Sequence, residues 1–184
     1  MAKEVLTIWT IGHTTRTIED FIALLKAHEI ESLVDVRHFP GSRRYPHFNK
    51  EQLGGSLLKA GIEYHHLPQL GGRRRPRPDS HNTAWRNDAF RGYADYMETN
   101  SFTEGINCLL ELARKKRVAI MCAEAVWWRC HRSLISDYLK ASGHEVLHIQ
   151  SSTKAEGHPF TTAARIVDGK LSYQAPVAEA ELPL

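Results

Sequence analysis

Segments rich in β-branched and other apolar residues alternate with segments of helical periodicity along most of this chain. The strand-like segments cover residues 5–11, 32–36, 63–67, 118–122 and 145–149. A strand followed by a helix and another strand joins parallel neighbours through a right-handed crossover. The alternation therefore predicts an α/β fold, Rossmann-like or flavodoxin-like, whose mostly parallel sheet of about five strands carries helices on both faces.

Capping residues mark the ends of several predicted helices. Thr17 is positioned to cap the first helix, and Gly61 and Gly143 are expected to stop two others in the left-handed conformation that glycine adopts readily. Ser101 followed by Glu104 has the spacing of a capping box. We therefore expect Ser101 to be the N-cap of another helix.

The C-terminal part of the chain has a different pattern. Residues 165–173 form two short β-rich runs around Asp168-Gly169, a dipeptide favoured in tight hairpin turns. We therefore divide the chain into an α/β domain at residues 1–150 and an extension at residues 151–184, which packs a β-hairpin on the same domain.

Length and composition are ordinary for one globular domain. The 184 residues are 42% hydrophobic and 24% charged, and no apolar run approaches the roughly 20 residues that a membrane span needs. The N-terminal residues lack a signal-peptide pattern, so we expect a cytoplasmic protein without membrane partners. The three cysteines, an odd number, argue against a disulfide framework. The oligomeric state is not predicted by these features.

Polar residues and glycines follow four of the predicted strands. In a parallel sheet the carboxyl ends of the strands share one edge, and ligands bind beyond that edge. Arginine suits phosphate and carboxylate groups because its guanidinium donates two parallel hydrogen bonds. We therefore expect an anionic small molecule, a nucleotide or another phosphate ester, to bind there. The expected ligand-binding residues are Gly12, His13, Asp35, Arg37, Arg43, Gly71, Gly72, Arg73 and Arg132.

The loop after the fourth predicted strand carries the residues with the most reactive chemistry. Cys122 ends that strand, and Cys130 and His131 precede a helix whose N-terminus would favour anions and thiolates. The arrangement resembles the thiolate and anion loop of cysteine phosphatases and rhodaneses, although the spacing from Cys122 to Arg129 is one residue longer than the phosphatase signature. Each cysteine could instead be a small buried apolar side chain. The candidate catalytic residues, nucleophiles or proton carriers, are Cys122, Glu124, Cys130 and His131.

Two other function classes compete with an enzyme that acts on an anionic ligand. The arginines of residues 73–77 and the tryptophans of residues 127–128 would suit a nucleic-acid-binding module, although the net charge of +3 is low for that class. The two cysteines of the loop, with His131 and His13, would form a metal site, but their spacing is not a standard zinc pattern. The chain has no glycine-rich nucleotide-binding motif, and no cofactor is predicted.

Several short motifs occur in order along the chain. They are IGHT at residues 11–14, DVR at 35–37, PGSR at 40–43, YHHL at 64–67, LGG at 70–72, CAE at 122–124 and CHR at 130–132. Together they resemble the motifs of a family of mainly prokaryotic proteins, domain-of-unknown-function family 488, over roughly residues 5–150. The resemblance implies a single α/β domain with its site at the motif-bearing edge of the sheet, and it leaves the reaction and the substrate open.

Overall fold

The computed structural model describes residues 4–177, which form one six-stranded sheet, a separate two-stranded sheet and five α-helices. The strands are β1 (Thr7–Gly12), β2 (Ser32–Asp35), β3 (Glu63–His66), β4 (Val118–Cys122), β5 (Glu145–Ser151), β6 (Lys154–Gly157), β7 (Arg165–Val167) and β8 (Lys170–Ser172). The helices are α1 (Ile18–Ala27), α2 (Lys50–Lys59), α3 (Asp88–Tyr96), α4 (Asn100–Lys115) and α5 (Arg132–Ala141). None of these helices has the length and apolar character needed to cross a membrane.

The six-stranded sheet has the order β3-β2-β4-β1-β5-β6, in which the first five strands are parallel and β6 is antiparallel. The predicted α/β fold with a mostly parallel sheet is therefore confirmed. The order differs from the two common doubly wound orders, 3-2-1-4-5-6 and 2-1-3-4-5, because β4 lies between β2 and β1. The strands β1 and β4 are consequently neighbours, and Gly12 pairs with Cys122 at their carboxyl ends.

Helices cover both faces of the sheet, as predicted. On one face, Met121 of β4 belongs to the same buried cluster as Phe21 of α1 and Leu53 of α2. Its neighbour Ile120 faces the opposite side, where it shares a cluster with residues of α3 and α4 and with Leu134 of α5. All five residues of β4 are buried, which is characteristic of a parallel strand with helices on both sides.

Most of the predicted helix ends are confirmed. The Thr17 side chain accepts a hydrogen bond from a backbone N–H three residues later, at 3.1 Å. Gly61 and Gly143 follow the ends of α2 and α5 with φ values of 78° and 88°. The predicted N-cap of α4 is wrong, because Thr99 caps that helix and Ser101 lies in its first turn. Thr99 offers the same kind of acceptor, and an earlier start adds helical hydrogen bonds to the backbone.

The predicted hairpin is formed by β7 and β8, with Asp168 and Gly169 at φ values of 51° and 75° in the turn. The strand β6, which pairs with β5 and becomes the sixth strand of the main sheet, was not predicted from the sequence. This strand is mostly exposed and lacks apolar alternation, so no burial pattern marked it. Tyr173, just after β8, is buried, and its hydroxyl donates to Asp137 of α5 at 2.8 Å. The hairpin is thereby attached to α5.

Candidate functional site

The adjacent strands β1 and β4 lead to helices on opposite faces of the sheet, α1 and α5 respectively. The loops that follow them leave from the carboxyl ends of the strands, where α/β proteins bind ligands. A cleft of about 710 Å³ opens at this point. Of the thirteen predicted site residues, the cleft is lined by His13, Arg37, Gly72, Arg73, Cys122, Glu124, Cys130 and His131. The topology thus brings together side chains that are distant along the chain.

The loops after β1 and β4 are held in direct contact. The backbone N–H of His13 donates to the carbonyl oxygen of Cys122 at 2.9 Å. The carbonyl oxygen of Glu124 crosses so close to Gly12 that a Cβ atom there would lie 1.7 Å from it. Only glycine permits this crossing, so Gly12 shapes the wall of the cleft without lining it.

Cys130 and His131 form a thiol–imidazole pair inside the cleft. The Cys130 Sγ lies 3.4 Å from Nδ1 of His131, and Nε2 of the same ring lies 2.8 Å from the carbonyl oxygen of Val36. A carbonyl oxygen only accepts, so Nε2 carries the hydrogen and the neutral ring presents the lone pair of Nδ1 to the thiol. Burial lowers the pKa of His131, which favours this neutral form. The geometry is that of a nucleophile, a base and a group that orients the base.

If Cys130 and His131 were consecutive residues of a helix, their side chains would point in different directions. Cys130 is not helical, however, and its backbone is extended, with φ and ψ of −134° and 154°. The helix α5 begins only at Arg132, whose backbone N–H lies 3.5 Å from the Cys130 Sγ. The thiol therefore sits at the positive end of the helix dipole, which stabilises a thiolate.

Cys122 and Cys130 are in contact but differ in acidity. Their sulfur atoms are 2.7 Å apart, and their exposed fractions are 2% and 5%. Burial raises the pKa of Cys122 well above its usual value. For Cys130 burial acts in the same direction, but the hydrogen bond with Cys122 and the charge and N–H of Arg132 outweigh it and lower the pKa to about 7. Cys130 is therefore the thiol that loses its proton more readily near neutral pH, while Cys122 keeps its proton.

Arg132 holds the loop after β4 and does not line the cleft. Its side chain is 2% exposed. Its Nη2 donates to the carbonyl oxygen of Glu124 at 2.7 Å, and its Nη1 donates to the Thr10 hydroxyl at 3.2 Å. The guanidinium thus fixes the loop that crosses Gly12, and its charge acts on Cys130 from behind the cleft wall.

A buried hydrogen-bond chain extends from Arg132 to the C-terminal part of the fold. Thr10 Oγ1 lies 2.6 Å from His148 Nδ1, His148 Nε2 lies 2.9 Å from His158 Nδ1, and His158 Nε2 lies 2.8 Å from Asp137. Burial lowers the pKa of His148, so this ring is neutral. Arg132 donates to Thr10 at one end of this chain, and the Asp137 carboxylate accepts at the other. Sequence analysis missed this chain because its members lie on separate elements and share no local pattern.

Asp35 positions Arg37 from beneath the cleft. Its carboxylate accepts from Nε and Nη2 of Arg37 at 2.9 and 2.7 Å, and from the Tyr64 hydroxyl at 2.6 Å. The Nη2 of Arg37 also donates to the carbonyl oxygen of Phe48 at 2.8 Å. Arg37 lines the cleft with 8% of its surface exposed, while Asp35 is fully buried. The charge of Arg37 is therefore already balanced within the fold.

His13 faces the cleft beside Arg37. Its ring stacks on Phe48 with the centroids 4.2 Å apart, and its Nδ1 lies 2.9 Å from the carbonyl oxygen of Thr14. Burial lowers the pKa of His13 to about 4, so the ring is neutral at pH 7. Nδ1 carries the hydrogen, and Nε2 is free to accept, 3.5 Å from Nη1 of Arg37.

The arginines predicted to bind an anion are placed differently from one another. Arg73 is exposed and lines the cleft, with a left-handed φ of 61°. Arg43 is also exposed but does not line it, whereas its neighbour Arg44, which sequence analysis did not select, does. The cleft therefore carries two exposed guanidinium groups, those of Arg44 and Arg73.

The basic loop at residues 71–78 has no regular structure, as predicted. The guanidinium of Arg74 lies over the Tyr96 ring, 3.6 Å from its centroid. Arg77 pairs with Glu98, with 2.8 Å between Nη2 and Oε2. Two of its arginines thus contact α3 and the turn after it.

The two glycines of this loop are closely packed. A Cβ atom on Gly72 would lie 2.9 Å from Nδ1 of His131, so glycine leaves the base uncovered. Gly71 lies against the backbone of His38 and does not line the cleft.

Sequence analysis selected the end of β2 but missed most of the loop that follows it. Only Arg43 was selected from the side chains of this loop. The additional lining residues of this loop are His38, Phe39, Gly41, Ser42, Arg44 and Tyr45. Phe39 is 65% exposed and lies beneath Arg73, 5.9 Å from the ring centroid to the guanidinium carbon.

Within residues 4–177, no group of three or more His, Cys, Asp and Glu side chains is arranged to hold a metal ion. The two cysteines and His131 are close together, but they contact one another through hydrogen bonds. His13 bonds instead to the backbone of Thr14 and approaches Arg37.

A family model described as a domain of unknown function, DUF488, matches residues 17–139, which is more than half of the 184 residues. The match includes the loops that carry Arg37, Gly72 and Cys130, and it begins after His13. Comparison with curated proteins and with solved structures found no match. On the extent of the family match, the chain belongs to the DUF488 family.

Proposed function

We propose that this protein is an enzyme that acts on an anionic, phosphate-bearing small molecule in the cleft at the carboxyl ends of the parallel strands. The observation that carries the proposal is the pair formed by Cys130 and His131, with 3.4 Å between Sγ and Nδ1 and with His131 held by the Val36 carbonyl. A thiol that is buried only for packing has no need of an oriented base.

Cys130 is the better nucleophile of the two cysteines. A thiolate is the reactive form, and the pKa of Cys130 is about 7 while that of Cys122 is raised by burial. When Cys130 is protonated, Nδ1 of His131 accepts the thiol proton and later returns it to the leaving group. Glu124 is exposed at the cleft wall and is the second candidate for a proton carrier.

The charges around the cleft favour an anion. Arg37, Arg44 and Arg73 line it, and Glu124 is the acidic residue among the lining residues described. Arg37 is neutralised by Asp35, so binding would depend on Arg44 and Arg73. Arginine recognises phosphate through paired N–H donors.

The reaction that fits this arrangement is a two-step transfer. The Cys130 Sγ attacks the phosphorus atom of a phosphate ester, an S–P bond forms, and the P–O bond to the leaving group breaks. The leaving oxygen takes the proton from His131 Nδ1. Water, deprotonated by His131, then attacks phosphorus and releases the thiolate.

We also propose that the protein works in the cytoplasm. The support is the requirement of this chemistry for a free thiol, since the cytosol keeps thiols reduced. All three cysteines are free in the structure.

The first test is the thermal unfolding midpoint with inorganic phosphate, nucleoside monophosphates, sugar phosphates and a short oligonucleotide, each at two ionic strengths. A ligand at 100 times its Kd adds about 2.7 kcal/mol to stability. For a domain of this size that corresponds to a rise of about 5–11 °C. A phosphate compound is expected to give such a rise, and Arg44→Ala or Arg73→Ala should reduce it.

Arg43→Ala is the matched control, because it removes the same charge from the same loop but outside the cleft. An equal effect of Arg43→Ala and Arg44→Ala would contradict a specific site. Stabilisation by the oligonucleotide alone, erased by salt, would favour a nucleic-acid-binding module.

The second test is turnover of whichever phosphate ester stabilises the protein. Cys130→Ser should retain binding and abolish turnover, while Cys108→Ser, on the exposed side of α4, should leave turnover unchanged. Full turnover by Cys130→Ser would refute the proposed nucleophile.

A further inference from the structure

The two cysteines of the cleft contact each other directly. Their sulfur atoms are 2.7 Å apart, and both are free thiols. A disulfide bond is about 2.05 Å long, so bond formation would require only a small further approach. Cys108 is exposed on α4 and does not line the cleft.

The two cysteines line the cleft but expose little surface to solvent. The exposed fractions of Cys122 and Cys130 are 2% and 5%. A folded protein bearing a disulfide would have to reach sulfur atoms at the base of the cleft, whereas a small oxidant could enter from the solvent. The segment between them, residues 123–129, consists of a loop and one turn of 3-10 helix at Trp127–Arg129, and most of its residues are exposed.

The pair also has the asymmetry that two-step oxidation of thiols needs. Cys130 is partly deprotonated at neutral pH and receives the backbone N–H of Arg132, so it is the sulfur that attacks an oxidant. Cys122 keeps its proton and lies next to the sulfur that would be oxidised. A sulfenic acid condenses with an adjacent thiol to form a disulfide.

We infer that Cys122 and Cys130 are an oxidation site at which a small hydroperoxide converts the two thiols into an intramolecular disulfide. The Cys130 thiolate attacks the terminal oxygen of the hydroperoxide, and the O–O bond breaks. The alkoxide that leaves takes up the proton that Cys130 had given up and becomes an alcohol. Cys130 is then a sulfenic acid. Cys122 attacks its sulfur, an S–S bond forms, and hydroxide leaves with the Cys122 proton as water.

Two thiols and one hydroperoxide thus become one disulfide, one alcohol and one water, and a dithiol reductant reverses the oxidation. The disulfide would consume the nucleophile of the cleft and switch the enzyme off. This regulatory consequence rests on the proposed function, whereas the oxidation itself does not.

The test is treatment of the reduced full-length protein with equimolar hydrogen peroxide, followed by intact mass and peptide mapping. We expect the mass to fall by two hydrogen atoms, the free thiols to decrease from three to one, and a peptide that links Cys122 to Cys130. Dithiothreitol should restore all three thiols. Cys108→Ser is the matched control, and it should lose both of its remaining thiols.

Variants separate the two steps. Cys122→Ser should stop at a sulfenic acid on Cys130 that dimedone traps, and Cys130→Ser should not react with equimolar peroxide. The inference would be overturned by preferential oxidation of Cys108, by a covalent dimer as the main product, or by a sulfenic acid that persists in the wild-type protein without a disulfide. The wild-type peptide map decides the matter even if a variant fails to fold.

The map needs no substrate, so its outcome is independent of the proposed function. A disulfide in a protein that no phosphate compound stabilises would support the oxidation site and refute the proposed function alone. Thiols that stay reduced in a protein that binds and turns over a phosphate ester would refute the oxidation site alone.

Discussion

Removing the Asp35 carboxylate is expected to destabilise the protein strongly, because it leaves the charge of Arg37 buried and unpaired. Asp35 is 0% exposed and Arg37 is 8% exposed, and Nη2 lies 2.7 Å from Oδ2. At this depth solvent screens the pair very little. Breaking a buried ion pair by removing one partner costs about 3–5 kcal/mol.

The expected loss for Asp35→Ala is therefore about 3–5 kcal/mol in the free energy of unfolding. For a domain of roughly 150–250 residues, 1 kcal/mol shifts the unfolding midpoint by about 2–4 °C, so the midpoint should fall by about 6–20 °C. The Tyr64 hydroxyl loses its acceptor as well, which adds to the cost.

Urea unfolding followed by circular dichroism measures this loss. Glu63→Ala is a suitable control, because Glu63 lies on the neighbouring strand β3 and its pair with Lys116 is solvent-exposed. That variant should change stability far less than Asp35→Ala. The double variant Asp35→Leu with Arg37→Met removes both charges and should recover much of the loss, because apolar residues replace the pair without leaving an unpaired ion.

A loss below about 1 kcal/mol for Asp35→Ala is what a solvent-exposed ion pair would contribute to stability. Such a loss would refute the conclusion that Asp35 balances the charge of Arg37 inside the fold. A double variant that is no more stable than Asp35→Ala would likewise contradict the argument. In either case Arg37 would again be a candidate for holding the ligand directly.

Three further predictions concern the cleft. The rate of iodoacetamide alkylation at Cys130 should rise with pH through a midpoint near 7. A midpoint near the pKa of a free cysteine, roughly 8.5, would contradict the conclusion that Arg132 and the N-terminus of α5 lower the pKa of Cys130. Burial keeps His13 neutral down to a pKa of about 4, so between about pH 6.5 and 4 the unfolded state binds more protons than the folded state. The free energy of unfolding should therefore fall by about 3 kcal/mol as the pH is lowered through that range, and His13→Asn should flatten the profile in acid unfolding experiments. Gly12→Ala should destabilise the protein and displace the loop after β4. The control Gly55→Ala, in open space on α2, should leave stability unchanged or raise it by about 0.5–1 kcal/mol. Equal unfolding midpoints for the two variants would rule out the close crossing at Gly12.

Much of the fold could be predicted from local patterns. Apolar runs such as residues 118–122 are readable as buried strands because a parallel strand covered on both faces must be apolar throughout. Positive φ at Gly61 and in the hairpin turn follows from the residue types alone. The strand β6 and the cap at Thr99 were missed, because an exposed edge strand has no burial pattern and two hydroxyl side chains compete for the cap of α4.

The convergence of the candidate residues at one edge of the sheet was predicted, while the placement of individual residues came from the tertiary structure. The sequence placed His13, Arg37 and Cys122 at or just beyond the ends of parallel strands, and these ends share one edge whatever the strand order. It did not distinguish Arg43 from Arg44, because both are exposed arginines of one loop and only the path of the backbone turns one into the cleft.

By itself, the sequence determined the class of fold, the edge of the sheet at which the candidate residues gather and the residue types available there, because burial and turn formation depend on neighbouring residues. The tertiary structure decided the strand order that makes β1 and β4 adjacent, the burial of Arg132 behind the cleft, and the contact between Cys122 and Cys130. The acidity of Cys130 and the neutrality of His131 arise only in that arrangement. A pKa depends on burial and on charges from other parts of the chain, and only the folded structure brings these together.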